Sequence, residues 1–221
     1  MTEALIVSIL AITIRAGTSL LYATLGEIYT ERSGILNLGV EGIMMVGAAT
    51  AFAVAYHGGS AWLGLAAALL VGGLLSLIHA LLTITLRAEQ VVSGLALTIF
   101  GIGLAAFMGQ RLGPGGTTMV GLQGPSFQRV AIPGLSSLPV IGPALFNQDV
   151  MVYMLYVLVP ILAFYLYRTQ PGLHLRAVGE NPAASDAMGV DVTGVRYLYT
   201  FVGGMLMGMA GAHLSLGYLQ G

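Results

Sequence analysis

Cysteine is absent from the 221 residues, which excludes a disulfide framework and a thiolate metal site and leaves the redox compartment unread. Lysine is absent too: all eight basic residues are arginine, against nine acidic ones. A formal net charge of -1 with no basic cluster offers nothing to grip a nucleic-acid backbone, so no nucleic-acid partner is expected. Charge of either sign is scarce, at 8% of the chain, where a soluble domain carries about a quarter. Two catalytic signatures are also missing. Without a G-x-x-x-x-G-K-[ST] stretch the chain has no phosphate-cradling loop of its own, and without H-E-x-x-H it has no metalloprotease helix. No aspartate lies within an apolar run, and no serine sits in a recognisable motif with a histidine, so catalysis is not expected. His79 and His213 stand alone on apolar stretches and read as hydrogen-bonded packing residues; no metal site is expected.

What is present is apolar. The chain is 57% hydrophobic with a mean hydropathy of +0.88, the composition of an integral membrane protein. Its 32 glycines suit membrane helices, which pack through small residues. The N-terminus carries Glu3 rather than a basic region and no convincing cleavage site follows, so the first apolar segment is expected to stay in the mature protein. A helix needs roughly 20 apolar residues to cross a bilayer, and stretches of that kind run over 5–25, 43–56, 62–86, 91–108, 150–167 and 195–219. The expected fold is therefore an all-α polytopic bundle of about six spans in a single transmembrane domain, 1–221. The second stretch is too short alone and must recruit part of ILNLGVEG.

Arginine placement orients the bundle. With the loop 168–196 inside, Arg32, Arg87, Arg168, Arg176 and Arg196 are cytoplasmic, Arg111 and Arg129 lie outside, and both chain ends face outward. The long connection 109–148, rich in glycine, proline and serine, is expected outside as a loop, re-entrant in part. GMLMG places Gly204 and Gly208 on one small-residue helix face suited to close packing.

Several polar residues interrupt the apolar runs. Arg15 is expected midway along the first span, where a charge costs about 2.5 to 3.5 kcal/mol and must face protein or water; pairing with Glu41, contact with substrate and snorkelling to the interface are all open. In ERSGILNLGVEG, Asn37 and Glu41 either begin a helix, by capping and by placing a carboxylate at its positive end, or line a pathway at a glycine-broken helix. Ser93 and Thr98 either bond carbonyls of their own helix or touch that pathway. The most polar segment, TQPGLHLRAVGENPAASDAMGVDVTGVR, holds a short helix: Asn181 caps, Pro182 suits the first position, Ala183, Ala184, Ala187 and Met188 make an apolar face, and Gly189 ends it.

Three stretches, GEIYTERSGILNLGVEGIMMVGA (26–48), EQVVSGLALTIFGIGLAAF (89–107) and GLHLRAVGENPAASDAMGVDV (172–192), together resemble the permease subunits of bacterial ABC importers in the simple-sugar and nucleoside group. The resemblance implies an inner-membrane subunit that moves solute by ATP-driven alternating access. Its expected partners are cytoplasmic ATPase subunits that bind the ATP and magnesium, a second permease subunit (homodimer or heterodimer), an extracytoplasmic solute-binding protein and membrane lipid. It implies that Gly179, Glu180, Asn181, Pro182, Ala183, Ala184, Asp186, Ala187 and Gly189 form the coupling helix that docks on the ATPase; the polar residues Arg15, Asn37, Glu41, Ser93 and Thr98 are the candidates to border the substrate pathway. This chain would bind no cofactor. Nucleosides are the first expectation for the solute, simple sugars the second and branched-chain amino acids the third. Members of that group are longer, so the chain, stopping at YLQG, reads as truncated at its C-terminus. Other classes also meet the sequence. The NPA tripeptide at 181–183 suggests an aquaporin-type channel, but it occurs once and sits among Arg176, Glu180, Asp186 and Asp191. A non-transporting structural membrane protein remains open.

Overall fold

The computed structural model describes residues 2–136 and 138–218. Its helices, in chain order, are α1 (Thr2–Arg32), α2 (Val40–Gly58), α3 (Ala61–Ala80), α4 (Gln90–Arg111), α5 (Ile141–Leu145), α6 (Val150–Arg168), α7 (Gln170–Glu180), α8 (Pro182–Ala187) and α9 (Val192–His213). Two of them continue as π-helical turns, α3 over Leu81–Thr85 and α9 over Leu214–Tyr218. Two three-residue strands, β1 (Arg129–Ala131) and β2 (Asn147–Asp149), pair antiparallel with Arg129 opposite Asp149. The protein is an all-α polytopic bundle.

Five described helices are long and apolar enough to cross a membrane: α1 from Leu5, α2, α3 with its π extension, α4 and α6. As expected, α2 takes in Val40, Glu41 and Gly42 to reach 19 residues. The sixth expected crossing is α9, whose outer end at Leu219 lies outside the described residues. It is 22 residues long and forms the middle of the bundle, with α1, α2 and α3 arranged around it. Glycine makes that position possible. A Cβ at Gly208 would collide with the Ala68 carbonyl, and one at Gly72 with the Gly204 carbonyl, so the α3 and α9 backbones are in contact through Gly72, Gly204 and Gly208. With no apolar drive between helices in lipid, close backbone approach supplies the dispersion contacts that hold them. Large side chains fill in around the seam: Tyr22, Met151, Leu155 and Leu216 at one end, Ile43, Val46 and Met207 in the middle.

Helix direction sorts the arginines. Arg32, Arg87, Arg168, Arg176 and Arg196 gather at one end, here the α7–α8 end, and Arg111 and Arg129 lie at the other. The 112–149 connection folds onto that second end as a 3-10 turn, the β1–β2 pair and α5, which packs on α1. It is tied to the bundle where the Phe127 N–H donates to the Leu216 carbonyl at 2.9 Å. The structure adds α7 where a loop was expected. Thr169 caps it, Pro171 occupies its first turn, and Gly172, Leu175 and Val178 are buried on one face at three-residue spacing.

Gly208→Leu is expected to force α9 off α3 and to lower stability by about 3 kcal/mol, with Gly208→Ser milder; unfolding of the purified protein in detergent checks it.

Candidate functional site

Between α1 and α2 the chain leaves helical geometry over residues 33–39, beginning with Gly34 at φ 86°. Ser33, Ile35 and Asn37 are buried there. An irregular buried backbone has carbonyls and N–H groups that no helix ladder satisfies, and leaving one unpaired costs about 1 to 3 kcal/mol. Side chains from four helices supply the partners. The Leu36 N–H donates to Gln90 Oε1 at 2.8 Å, and His79 Nε2 donates to the Leu36 carbonyl at 3.1 Å. A carbonyl only accepts, so Nε2 carries the proton and Nδ1 accepts from the Ser93 hydroxyl at 2.9 Å. Thr98 Oγ1 donates to the Leu38 carbonyl at 2.8 Å, the Asn37 N–H donates to Glu27 Oε1 at 2.9 Å, and Arg196 Nε donates to the Ser33 carbonyl at 3.2 Å. Gly94 on α4 lets the backbone at Leu38 lie against that helix, since a Cβ there would meet the Leu38 nitrogen at 2.7 Å.

This arrangement changes the expected roles. Asn37 does not cap α2. Gly39 is the residue before the helix, and Asn37, fully buried, turns its Oδ1 to the Gly39 N–H at 2.9 Å and its amide nitrogen toward Met207 Sδ on α9. Glu41 is exposed in the first turn of α2, favourably placed at the positive end. Ser93 and Thr98 do not bond their own helix; both reach across to the neighbourhood of the break, Ser93 through His79. Sequence reading missed Glu27, Gln90 and His79 as its partners. Glu27 lies beyond the expected first span, which ends at residue 25 and falls short of Arg32. Its Oε2 is buried with no hydrogen-bond partner.

Arg15 does not pair with Glu41. It lies at the opposite end from the break, over the Tyr218 ring at 5.9 Å and in a small cavity beside Arg129 and Asp149. The reason is geometric. Arg15 shares its cavity with Asp149, the residue that caps α6, so it is level with the start of that helix although it lies well inside the apolar Leu5–Arg32 helix. Nearby, Ser19 Oγ and His213 Nδ1 lie 2.7 Å apart and His213 Nε2 and Asp149 Oδ2 3.4 Å apart, a buried row tying α1, α9 and the start of α6. Asp149 also caps α6, accepting from the N–H groups of Met151 and Val152. Burial pushes its carboxyl up, but the hydrogen bond and charge of His213 and those two N–H donors outweigh burial and hold it below the usual carboxylate range. Among the described residues no group of histidine and carboxylate side chains is arranged to hold a metal ion.

At the α7–α8 end, Asn181 Oδ1 accepts from the Ala184 N–H at 3.0 Å, Pro182 opens α8, and Gly189 follows at φ 83°. Ala183, Ala184, Asp186 and Ala187 are exposed and Met188 is 85% exposed, so α8 presents an uncovered apolar face. Gly179 and Glu180 belong instead to the last turn of α7. Gly179 lies directly on the Arg32 carbonyl, where a Cβ would collide. Leu175 of α7 packs among tyrosines that tie the neighbouring helices together: Tyr165 on α6 and Tyr199 on α9 share a hydrogen bond at 2.7 Å, and Tyr29 on α1 donates to the Leu162 carbonyl on α6 at 2.7 Å. Residues 32–34 are thus held from two helices, by Gly179 of α7 against the Arg32 carbonyl and by Arg196 of α9 on the Ser33 carbonyl.

His79→Leu is expected to leave the Leu36 carbonyl and the Ser93 hydroxyl unpaired and to cost about 1 to 3 kcal/mol. His79→Gln should recover part of it, and the comparison of the two unfolding curves reads the difference.

Comparison with known proteins places these features in one family. Residues 8–220 match the family model described as branched-chain amino acid transport system, permease component. A provisionally named glucose ABC transporter permease protein of Haloferax volcanii is 43% identical over 210 residues, 94% of this chain and 62% of that relative. The guanosine ABC transporter permease protein of Bacillus subtilis is 36% identical over 93% of this chain and 67% of its own length. The nucleoside ABC transporter permease protein of Lactococcus lactis is 36% identical over 88% of this chain and 63% of its own. The chain therefore spans under two thirds of the length of the first of these relatives. No solved structure matches significantly. With nearly every described residue inside the match, the chain belongs to the permease-component family of branched-chain amino acid transport systems.

Proposed function

We propose that this protein is a transmembrane permease subunit of an ABC importer that moves nucleosides or simple sugars across the inner membrane. The observation that carries the reading is the combination of family membership over residues 8–220 with relatives named for glucose, guanosine and nucleoside transport. In this reading the α7–α8 end is cytoplasmic, as its five arginines favour, both chain ends face outward, and the uncovered face of α8 docks on a separate ATPase subunit that binds and hydrolyses the ATP. A second permease subunit completes the pathway and an extracytoplasmic binding protein delivers the solute. Closure of the ATPase pair pushes α8. Because α7 is packed on Arg32 and Arg196 holds Ser33, the push reaches residues 33–39, where Asn37, Ser93 and Thr98 hold the irregular backbone and Glu41 lies at the adjoining helix start. A short rigid lever joined to a two-state element is the mechanical minimum for alternating access. Branched-chain amino acids are the second reading, favoured by the family's own description.

Uptake of labelled nucleosides, sugars and leucine by cells carrying the complete operon, against cells lacking this gene, separates the substrates. Gene-dependent uptake of a nucleoside or a sugar supports the proposal, and uptake of leucine alone supports the second reading. Ala184→Arg or Ala187→Arg is expected to abolish co-purification with the ATPase and to lower uptake at least about tenfold, about 1.4 kcal/mol of docking free energy, with membrane insertion intact. Unchanged co-purification would assign the docking surface elsewhere.

A further inference from the structure

The cavity beside Arg15 is not accounted for by a transport pathway. It has a volume of about 170 Å³ and is lined by Arg15, Arg129, Asp149, Gly217 and the 126–128 segment. That is well under the roughly 300 to 1,000 Å³ of pockets that hold whole small molecules, so it suits a single polar group rather than a sugar or a nucleoside. Its charge is unbalanced. Two guanidinium groups face one carboxylate, and that carboxylate is already committed: Oδ1 to the N–H groups of Met151 and Val152, Oδ2 to His213. Arg15 is 8% exposed, and its Nε is buried with no hydrogen-bond partner. A buried guanidinium with an unused donor calls for an anion, and a planar fork of donors matches the oxygens of a phosphate.

The surroundings say which phosphate. Through Ser126, Phe127 and Gln128 the cavity adjoins a second one of about 560 Å³, which reaches Val150. Val150 in turn begins an apolar groove of about 550 Å³ along α6 and α9, lined by Met154, Val157, Leu158, Ile161 and Met209. Val157 and Ile161 are more than half exposed within it. The level is that of a headgroup region: α6 begins its crossing there, Trp62 stacks edge-on against Phe127 at 5.0 Å, and Tyr153, Tyr156 and Tyr218 gather at the same end. A cationic pocket at the interface that opens into an apolar groove running toward the bilayer centre has the polarity profile of one amphiphile.

We propose that Arg15 and Arg129 bind the phosphodiester of a glycerophospholipid whose acyl chain lies in the α6–α9 groove, making a structural lipid site at the end of the bundle opposite α8. One phosphodiester negative charge balances the excess guanidinium. The site involves neither the substrate nor the ATPase, so it stands whichever solute is carried.

The test is native mass spectrometry of the purified full chain after delipidation, with phosphatidylglycerol, a neutral glucosyl-diacylglycerol of the same chains and inorganic phosphate as probes. Phosphatidylglycerol is expected to be retained as a one-to-one adduct, the neutral glycolipid at least about tenfold more weakly, and inorganic phosphate is expected not to displace the lipid. Arg129→Gln, at an exposed position, should weaken retention about tenfold, and Arg15→Gln with Arg129→Gln should abolish it. Val157→Trp, which blocks the groove and leaves both arginines in place, should also release the lipid. Equal retention of the glycolipid, undiminished retention by Arg129→Gln, full retention by Val157→Trp, or displacement by inorganic phosphate as readily as by lipid would each overturn the assignment.

Discussion

The constraint that organises the molecule is the need to satisfy backbone polar groups where no water competes for them. A helix does so internally, which is why helices cross membranes. Residues 33–39 give up that solution, and the cost is met by side chains. Gln90, His79, Thr98, Glu27 and Arg196 each supply a donor or an acceptor to the broken stretch. Those residues are hard to explain on their own helices. A histidine and a glutamate near the ends of apolar spans are expensive unless something requires them, and the break is what requires them. Replacing the break by continuous helix would leave them unpaired, so the two features stand or fall together.

Around that break the helices meet backbone on backbone. The α3–α9 seam brings two backbones into contact at Gly72, Gly204 and Gly208 with no side chains between to yield. At the α7–α8 end the contact between Gly179 and the Arg32 carbonyl is of the same kind, backbone on backbone. Coupling through such contacts is a matter of rigid bodies with two arrangements and needs no chain of conformational signals. In the proposed importer the exposed face of α8 is the input, since its apolar side is left uncovered at that end.

The six long helices and the short α8 with its asparagine cap were legible in the sequence because each depends on local pattern: run length, Pro182 after Asn181, glycine after the last turn. Helix α7 was not, because Pro171 and Gly172 read as breakers; the burial of Leu175 and Val178 three residues apart is a periodicity that a window of eleven residues barely shows. The partners of the break were illegible for a different reason. Leu36 meets His79 and Gln90, and Leu38 meets Thr98, over separations of 43 to 60 residues that only the packing of α3 and α4 against the break defines. For Ser93 and Thr98 the sequence leaves two readings open, and the bonds they make go to other segments, Ser93 to His79 and Thr98 to the Leu38 carbonyl. The level of Arg15 is set by its neighbours: the cavity it shares with Asp149 puts it beside the start of α6, which a run-length count on α1 does not show.

That level removes an apparent paradox. Taken at the middle of a bilayer, Arg15 would need a counter-charge within the span, and Glu41 is too far along the chain's path to supply it. Beside the start of α6, the demand is weaker and of another kind. Asp149 supplies part of the balancing charge, the Tyr218 ring face another part, and the remainder falls where headgroups and water begin. Seven arginines then lie near the ends of the long helices or in the segments beyond them, and Arg15, inside the Leu5–Arg32 helix, lies beside the start of α6. Between those ends His79, Ser93 and Thr98 serve the broken backbone or one another.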